Sequence, residues 1–266
     1  MCDLPAELRA HLDLQQAYEP PIGFSMEKML LLPGGYDGQP AVLKYSERFE
    51  VYEEGEIYRW LEGKLPVPKV YLNQKIGDLY YLVVSLEAGH MLSDFVGRLT
   101  KPACLKLFAS LLAQIHQVDT RGFPFRHGKK EKLAKARRTV LNHEAKTQYF
   151  ERELQGYRPE DILAYLEAHQ DFEEDLVFTH GDVCFPNFLY HDDLSLASVL
   201  DVSGAGINDR HLDLAIGLRT LRYNFEQVGD QLTKQDIQLF LETYGLQTID
   251  IKKITFYILL DEITNG

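Results

Sequence analysis

His180-Gly181-Asp182-Val183-Cys184-Phe185-Pro186-Asn187, followed by Val199-Leu200-Asp201, is the stretch from which the rest of the chain can be read. Two short apolar runs, Phe188 to His191 and Leu196 to Asp201, flank the turn Asp192-Asp193-Leu194-Ser195. Pairing them as a hairpin centred near Leu194 puts Asn187 opposite Asp201, each seven residues from the centre. Directly opposed residues hold their Cβ atoms ~5 Å apart. An amide oxygen and a carboxylate at that separation can share one Mg²⁺, a hard cation that takes oxygen ligands. Asp182, five residues before Asn187, falls in the turn leading into the hairpin, where it can orient a hydroxyl and accept its proton. Phosphoryl transfer asks for this set: a metal on the phosphates and a carboxylate that aligns the nucleophile. Singly, each residue is an ordinary turn residue; together, their spacing selects the chemistry.

Three neighbouring candidates receive structural readings. His180 holds backbone geometry, His116 borders an amphipathic helix as a satisfied buried histidine, and Cys184 is a small packing residue. No His–Cys pattern marks Cys184 as a nucleophile.

Upstream, Lys44 ends a strand-like run, and the helix expected over Ser46 to Gly63 follows it. The buried stripe of that helix is Val51, Glu54, Tyr58 and Leu61, spaced three, four and three residues apart. Glu54 is the anomaly on this face, because an unpaired buried charge is very costly. Lys44 is the nearest cationic partner. A Lys–Glu pair aimed at α- and β-phosphates is a kinase device, and a plain structural ion pair or a Glu54 that reaches water fits the spacing equally. Gly23-Phe24-Ser25-Met26 stands where a phosphate-covering loop would lie, with Ser25 as its polar side chain; a plain hairpin turn fits as well. No GxxxxGK[ST] occurs, which excludes a P-loop protein.

Around these motifs the first third reads as strands. Ile22 to Leu32 and Pro40 to Tyr45 flank Pro33-Gly34-Gly35-Tyr36-Asp37-Gly38 as a hairpin connection, and Val70 to Leu72 and Leu79 to Leu86 follow. Beyond Gly89 helical spacing dominates: Ala103 to Val118, Pro159 to His169, Asp209 to Phe225, Lys234 to Tyr244 and Ile251 to Ile263. The expected architecture is α+β and two-lobed, with a small antiparallel-sheet lobe over residues 1–88 and a mostly helical lobe over 89–266. Such a layout is expected to leave a ligand cleft.

Composition narrows the partners. With 28 basic against 40 acidic residues the formal charge is −12, which argues against a nucleic-acid binder. It suits a polycationic ligand drawn by long-range attraction, and equally plain solubility. Apolar runs are far shorter than the ~20 residues of a membrane span. The first twenty residues carry Asp3, Glu7, Arg9 and Asp13 and lack the apolar core of a signal peptide. Cys2, Cys104 and Cys184 are scattered, without a CxxC pair. A reduced, cytoplasmic protein is therefore expected.

The chain resembles the aminoglycoside phosphotransferases of the 3'-hydroxyl class almost end to end. The likeness rests on Trp60-Leu61-Glu62-Gly63-Lys64-Leu65-Pro66-Val67-Pro68-Lys69-Val70 and on the His180 to Asn187 motif. Asp209-Arg210-His211-Leu212-Asp213-Leu214-Ala215 and Phe256-Tyr257-Ile258-Leu259-Leu260-Asp261-Glu262 extend it. It implies a protein-kinase-like fold using ATP or GTP with Mg²⁺, Asp182 as catalytic carboxylate, and Asn187 and Asp201 on the metal. It also implies Lys44 and Glu54 as the phosphate-side pair, backbone groups near Ser85 and Glu87 on the adenine, and Asp261 and Glu262 on the drug's ammonium groups. The chain departs from the class at Ser203-Gly204, where a Gly-Arg pair is common, and at Tyr223, where an acidic residue is common. Val42 replaces an aromatic, and Ile263-Thr264-Asn265-Gly266 extends beyond the acidic pair.

The expected reaction is thus transfer of the γ-phosphoryl group of a Mg-nucleotide to the 3'-hydroxyl of an aminoglycoside. The alternative is a kinase of the same fold acting on an amino sugar, choline or a macrolide. A protein kinase is disfavoured, since there is no DFG or APE and the step from Asp201 to Asp213 is only twelve residues. A catalytically dead nucleotide-binding module is disfavoured because Lys44, Asp182, Asn187 and Asp201 are all present.

Overall fold

The computed structural model describes residues 4–20 and 27–265. In chain order the helices are α1 (Ala6–Arg9), α2 (Glu50–Leu61), α3 (Lys101–His116), α4 (Lys129–Leu141), α5 (Pro159–Ala168), α6 (His211–Gln227), α7 (Lys234–Tyr244) and α8 (Ile251–Asn265). The strands are β1 (Lys28–Tyr36), β2 (Gln39–Ser46), β3 (Val70–Ile76), β4 (Leu79–Ser85), β5 (His90–Met91), β6 (Leu176–Thr179), β7 (Phe188–Tyr190), β8 (Leu196–Val199) and β9 (Gly206–Asp209). They fall into two compact units. The first takes the described residues up to Met91 together with Asn187–Ser203; the second takes Leu92–Pro186 and the described residues from Gly204.

In the first unit, β1, β2, β4 and β3 form an antiparallel sheet in that order. Period-two alternation in β2 sends Ala41, Leu43 and Tyr45 to one face, where they pack with Leu4, Leu8 and Leu12. Val42 and Lys44 alternate to the other face, and Lys44 meets Glu54 of α2 there. The β1–β2 connection is tighter than the sequence suggests. Asp37 (φ 48) and Gly38 (φ 77) alone make the turn, both left-handed as a two-residue hairpin requires. Gly34 and Gly35 stay within β1 at a register shift, and a Cβ at Gly35 would fall 1.7 Å from the Gln39 carbonyl. The helix expected over 46–63 forms as α2, with Gly63 (φ 75) just beyond it.

The hairpin β7–β8 belongs to this first unit, whereas the sequence reading grouped it with residues 89–266. Its reason is pairing: β5 joins β7 through His90↔Tyr190 and Met91↔Leu189, and the Val199 N–H donates to the Pro66 carbonyl (2.9 Å).

In the second unit, α6 is the central helix, buried almost continuously from His211 to Gly217. At Gly217 a Cβ would stand 3.2 Å from Leu112 and Phe108, so glycine allows close approach of α3. The Phe108 ring meets Phe185 edge-on at 4.9 Å and lies 6.0 Å from Phe240, tying α3 to the segment before Asn187 and to α7. β6 pairs with β9, bringing Thr179 beside Gly206. Four elements are absent from the sequence reading: α1 and β5, which are only four and two residues long, and α4 and β9. In α4, Lys129-Lys130-Glu131-Lys132 and Arg137-Arg138 mask a thin stripe of Leu133, Ala136 and Val140. Strand β9 is four residues long and its partner lies far off in sequence. Among the described residues no helix is long and apolar enough to cross a membrane.

Candidate active site

The first unit carries a charged relay. The Lys44 ammonium donates to both Glu54 carboxylate oxygens, at 2.7 and 2.9 Å. The Tyr58 hydroxyl donates to Glu54 Oε1 (2.9 Å) and accepts the Asp201 backbone N–H (2.8 Å). Lys44 Nζ also stands 3.9 Å from Asp201 Oδ1. Burial works against the Lys44 ammonium, but the charges of Asp201 and Glu54 outweigh it and hold its pKa well above the usual lysine value. The Lys44 ammonium therefore stays charged at neutral pH, while burial, against the attraction of Lys44, pushes the Glu54 carboxyl up. The side chain of Glu54 is 3% exposed and that of Asp201 is 40% exposed, so the lysine links a buried anion to an open one. Lys44, Glu54, Asp201, Ser203, Glu27 and Glu50 line one small cavity.

The hairpin forms as expected, but its register differs by one residue. Phe188 pairs with Val199, and the Leu200 N–H donates to the Asn187 carbonyl (2.8 Å), so Asn187 lies opposite Leu200. Ala197 is the extra residue: pairing steps from Leu189↔Ser198 to Tyr190↔Leu196 at a bulge that symmetric counting cannot anticipate. Asp201 follows one position later with a left-handed φ of 53°, a conformation Asp tolerates better than most residues. Its Oδ1 accepts from the Ser203 hydroxyl (3.2 Å). Among the described residues no three His, Cys, Asp or Glu side chains cluster as a metal set. An amide oxygen and a half-exposed carboxylate nevertheless suit Mg²⁺, which takes one or two carboxylates and completes its shell with phosphate and water.

Ser85 donates its hydroxyl to Glu87 and accepts the Lys69 N–H (2.8 Å), and its own N–H donates to the Lys69 carbonyl (2.9 Å). Ser25 lies outside the described residues.

The second unit builds the turn that presents Asp182. Gly181 has φ +84°, and a Cβ there would fall 2.1 Å from the Gly204 carbonyl, so two glycines interlock. Buried Asp213, on the first turn of α6, clamps this turn: its Oδ2 accepts the His180 N–H (2.7 Å) and its Oδ1 the Gly181 N–H (2.9 Å). His116 Nε2 reaches the same carboxylate at 3.1 Å, while His116 Nδ1 meets the Tyr244 hydroxyl at 2.6 Å. Burial raises the Asp213 pKa, but the His116 hydrogen bond and charge and the Gly181 N–H overcome it and hold the carboxyl below its ordinary range. His180 accepts the Asp182 N–H on Nδ1 (3.2 Å), which is the backbone role read for it above. Cys184 accepts from the Thr220 hydroxyl (3.6 Å) and bonds to Asp182; burial, then the Asp182 charge, pushes its thiol up, so it stays protonated.

Asp261 and Glu262 come together on α8, buried, and both face Arg219 of α6. Arg219 bonds Asp261 through Nη2 and Glu262 Oε1 through Nη1 (3.1 Å), and its Nε stands 3.4 Å from Glu151. Glu262 Oε2 also accepts the Glu151 N–H (2.9 Å). Asp213, Tyr58 and Arg219 are the site residues that sequence reasoning gave no role. Tyr58 had a signal, being one turn after Glu54 on the same stripe; the others depend on contacts across tens of residues.

Residues 30–245 match the profile of the phosphotransferase enzyme family. The chain belongs to that family. An aminoglycoside 3'-phosphotransferase of Niallia circulans is 34% identical over 230 residues, 85% of each chain. The crystal structure of a type VIII aminoglycoside-3'-phosphotransferase superposes with a TM-score of 0.81 at 26% identity over 93% of each chain. Phosphotransferase APH(3'')-Id from Streptomyces rimosus, solved with ADP and streptomycin, shares the fold (TM-score 0.78, 22% identity, 94% of this chain and 93% of that one). The protein-kinase-like α+β fold expected from the sequence is therefore the fold of this phosphotransferase.

Proposed function

We infer that this phosphotransferase moves the γ-phosphoryl group of ATP or GTP to the 3'-hydroxyl of an aminoglycoside. The observation that carries the reading is the Lys44 ammonium shared between buried Glu54 and open Asp201. A cation fixed by a buried anion keeps its charge and position for phosphate oxygens. In this reading Asn187 and Asp201 hold Mg²⁺, which when bound neutralises charge on the phosphates. The connector through Ser85 and Glu87 takes the base. Asp182, held by the Asp213-clamped turn, orients the acceptor hydroxyl and takes its proton, while Asp261 and Glu262, already paired with Arg219, meet the ammonium groups of a cationic sugar with what charge that pairing leaves. The Niallia circulans relative supports the 3' position, and the excess of acidic residues suits a polycation. The domain roles follow: residues 1–88 serve the nucleotide and 89–266 carry the acceptor side, with the metal hairpin packed into the first unit.

The test is nucleotide-coupled turnover with kanamycin, neomycin and a kanamycin analogue lacking the 3'-hydroxyl. Turnover of the first two and none of the third is expected. Equal turnover of the deoxy analogue rejects the 3' position, and turnover only of choline or a macrolide rejects the substrate class.

A further inference from the structure

Lys132, on the charged helix α4, donates its ammonium to the Gly204 carbonyl (3.1 Å). That carbonyl is the atom against which Gly181 is packed: a Cβ on Gly181 would stand 2.1 Å from it. The next residue is Asp182. Lys132 therefore touches one side of the interlocked glycines, and Asp213 binds the Gly181 N–H. The charged groups acting on Lys132 are Lys135 on its own helix, Asp213 of α6 and Asp261 of α8. Neighbouring Arg137 is engaged elsewhere, by Glu167 of α5 (2.6 Å).

We propose that Lys132 is a positioning residue for phosphoryl transfer: its ammonium orients the Gly204 carbonyl on which the Gly181 turn is seated, and so sets the aim of Asp182. This rests on the assignment of Asp182 given above. Side-chain protonation is then coupled to the turn. Burial, then repulsion from Lys135, lowers the Lys132 pKa to about 8, against the attraction of Asp213 and Asp261. The ammonium is present below that pH and lost above it. Deprotonation weakens the bond to Gly204 from charge-assisted to neutral.

Two measurements on the full chain test this. In the first, the Lys132 ammonium and the Gly181 and Asp182 amides are followed by NMR against pH without substrate. The amides are expected to shift with the lysine, near pH 8; amides indifferent to that titration overturn the proposal. In the second, kcat is measured against pH for the wild type, Lys132→Met and Lys132→Arg. Lys132→Met is expected to lose about tenfold in kcat at pH 7 with the nucleotide KM unchanged, a cost typical of misaligned groups. Lys132→Arg, which stays charged and can still reach the carbonyl, is expected to keep most of the rate and lose the alkaline fall of the wild type. An unchanged kcat in Lys132→Met, or an alkaline fall that persists in Lys132→Arg, overturns it. Should Lys132→Met not fold, the arginine variant and the wild-type titration still decide. Absence of turnover in the wild type would reject the proposed function and leave the NMR result standing on its own.

Discussion

Glu54 and Asp213 are both buried carboxylates, one in each unit, and their partners differ in kind. Glu54 meets a cation, Lys44, and a phenol that reaches on to Asp201. Asp213 meets the N–H groups of His180 and Gly181 and the ring of His116. In the first unit the buried charge holds another charge in place, and Lys44 also lies within 3.9 Å of an open carboxylate. In the second, the buried charge fixes backbone, and Asp182, the carboxylate proposed to take the acceptor's proton, is one residue along. In the proposed reaction a cation must keep its charge to meet phosphate, whereas a proton acceptor must first be held within reach of the hydroxyl. That difference accounts for a Lys–Glu pair in one unit and a carboxylate–amide clamp in the other.

The largest expected effect tests the end product of the second device. Asp182→Asn keeps the turn and removes the proton acceptor; turnover is expected to fall by about 10²–10⁴ with the nucleotide KM nearly unchanged. An unchanged rate removes Asp182 from its role.

Next comes the charge of the first device. Lys44→Met leaves Glu54 buried without its cation, and a loss of about 3–5 kcal/mol in urea unfolding is expected, with weakened nucleotide binding. Adding Glu54→Gln should recover most of the stability and none of the binding. Recovery of both would make the pair purely structural.

Asp213→Asn weakens two backbone hydrogen bonds to a charged acceptor, an expected cost of about 3 kcal/mol. The pH dependence fixes its sign. The folded Asp213 pKa is depressed, so its stabilisation is present above the unfolded value of about 4 and lost as pH falls through the folded one. The variant should therefore show a flatter acid limb in unfolding free energy than the wild type; identical limbs would mean that Asp213 is not the titrating clamp. Thr233→Ala, which breaks the capping box of α7 with Asp236, supplies a baseline for the same unit. It should cost about 1 kcal/mol and leave turnover untouched, separating general loosening from loss of the clamp.

Much of this was legible in the residues. The Lys44–Glu54 pair was legible as one reading of the helical spacing, beside a Glu54 that reaches water, because a carboxylate on an apolar stripe has few ways to be satisfied. The hairpin after Asn187 was legible from two apolar runs and a polar turn. Its register was not, because the bulge at Ala197 and the left-handed Asp201 depend on how β7 and β8 fit their neighbours. The missed helix α4 shows the limit of patterning: seven basic or acidic residues in its first ten hide a stripe of only three buried side chains.

The order of motifs, the residue types at the reacting centre and the periodicity of each element are properties of the chain taken locally, and the sequence determined them. Which carbonyl faces Gly181, which acid clamps His180 from 33 positions away and which arginine meets Asp261 and Glu262 were decided only by tertiary structure. The physical reason is that local spacing sets which face a side chain occupies, while its partner is chosen by whatever other segment must be satisfied in the same buried place.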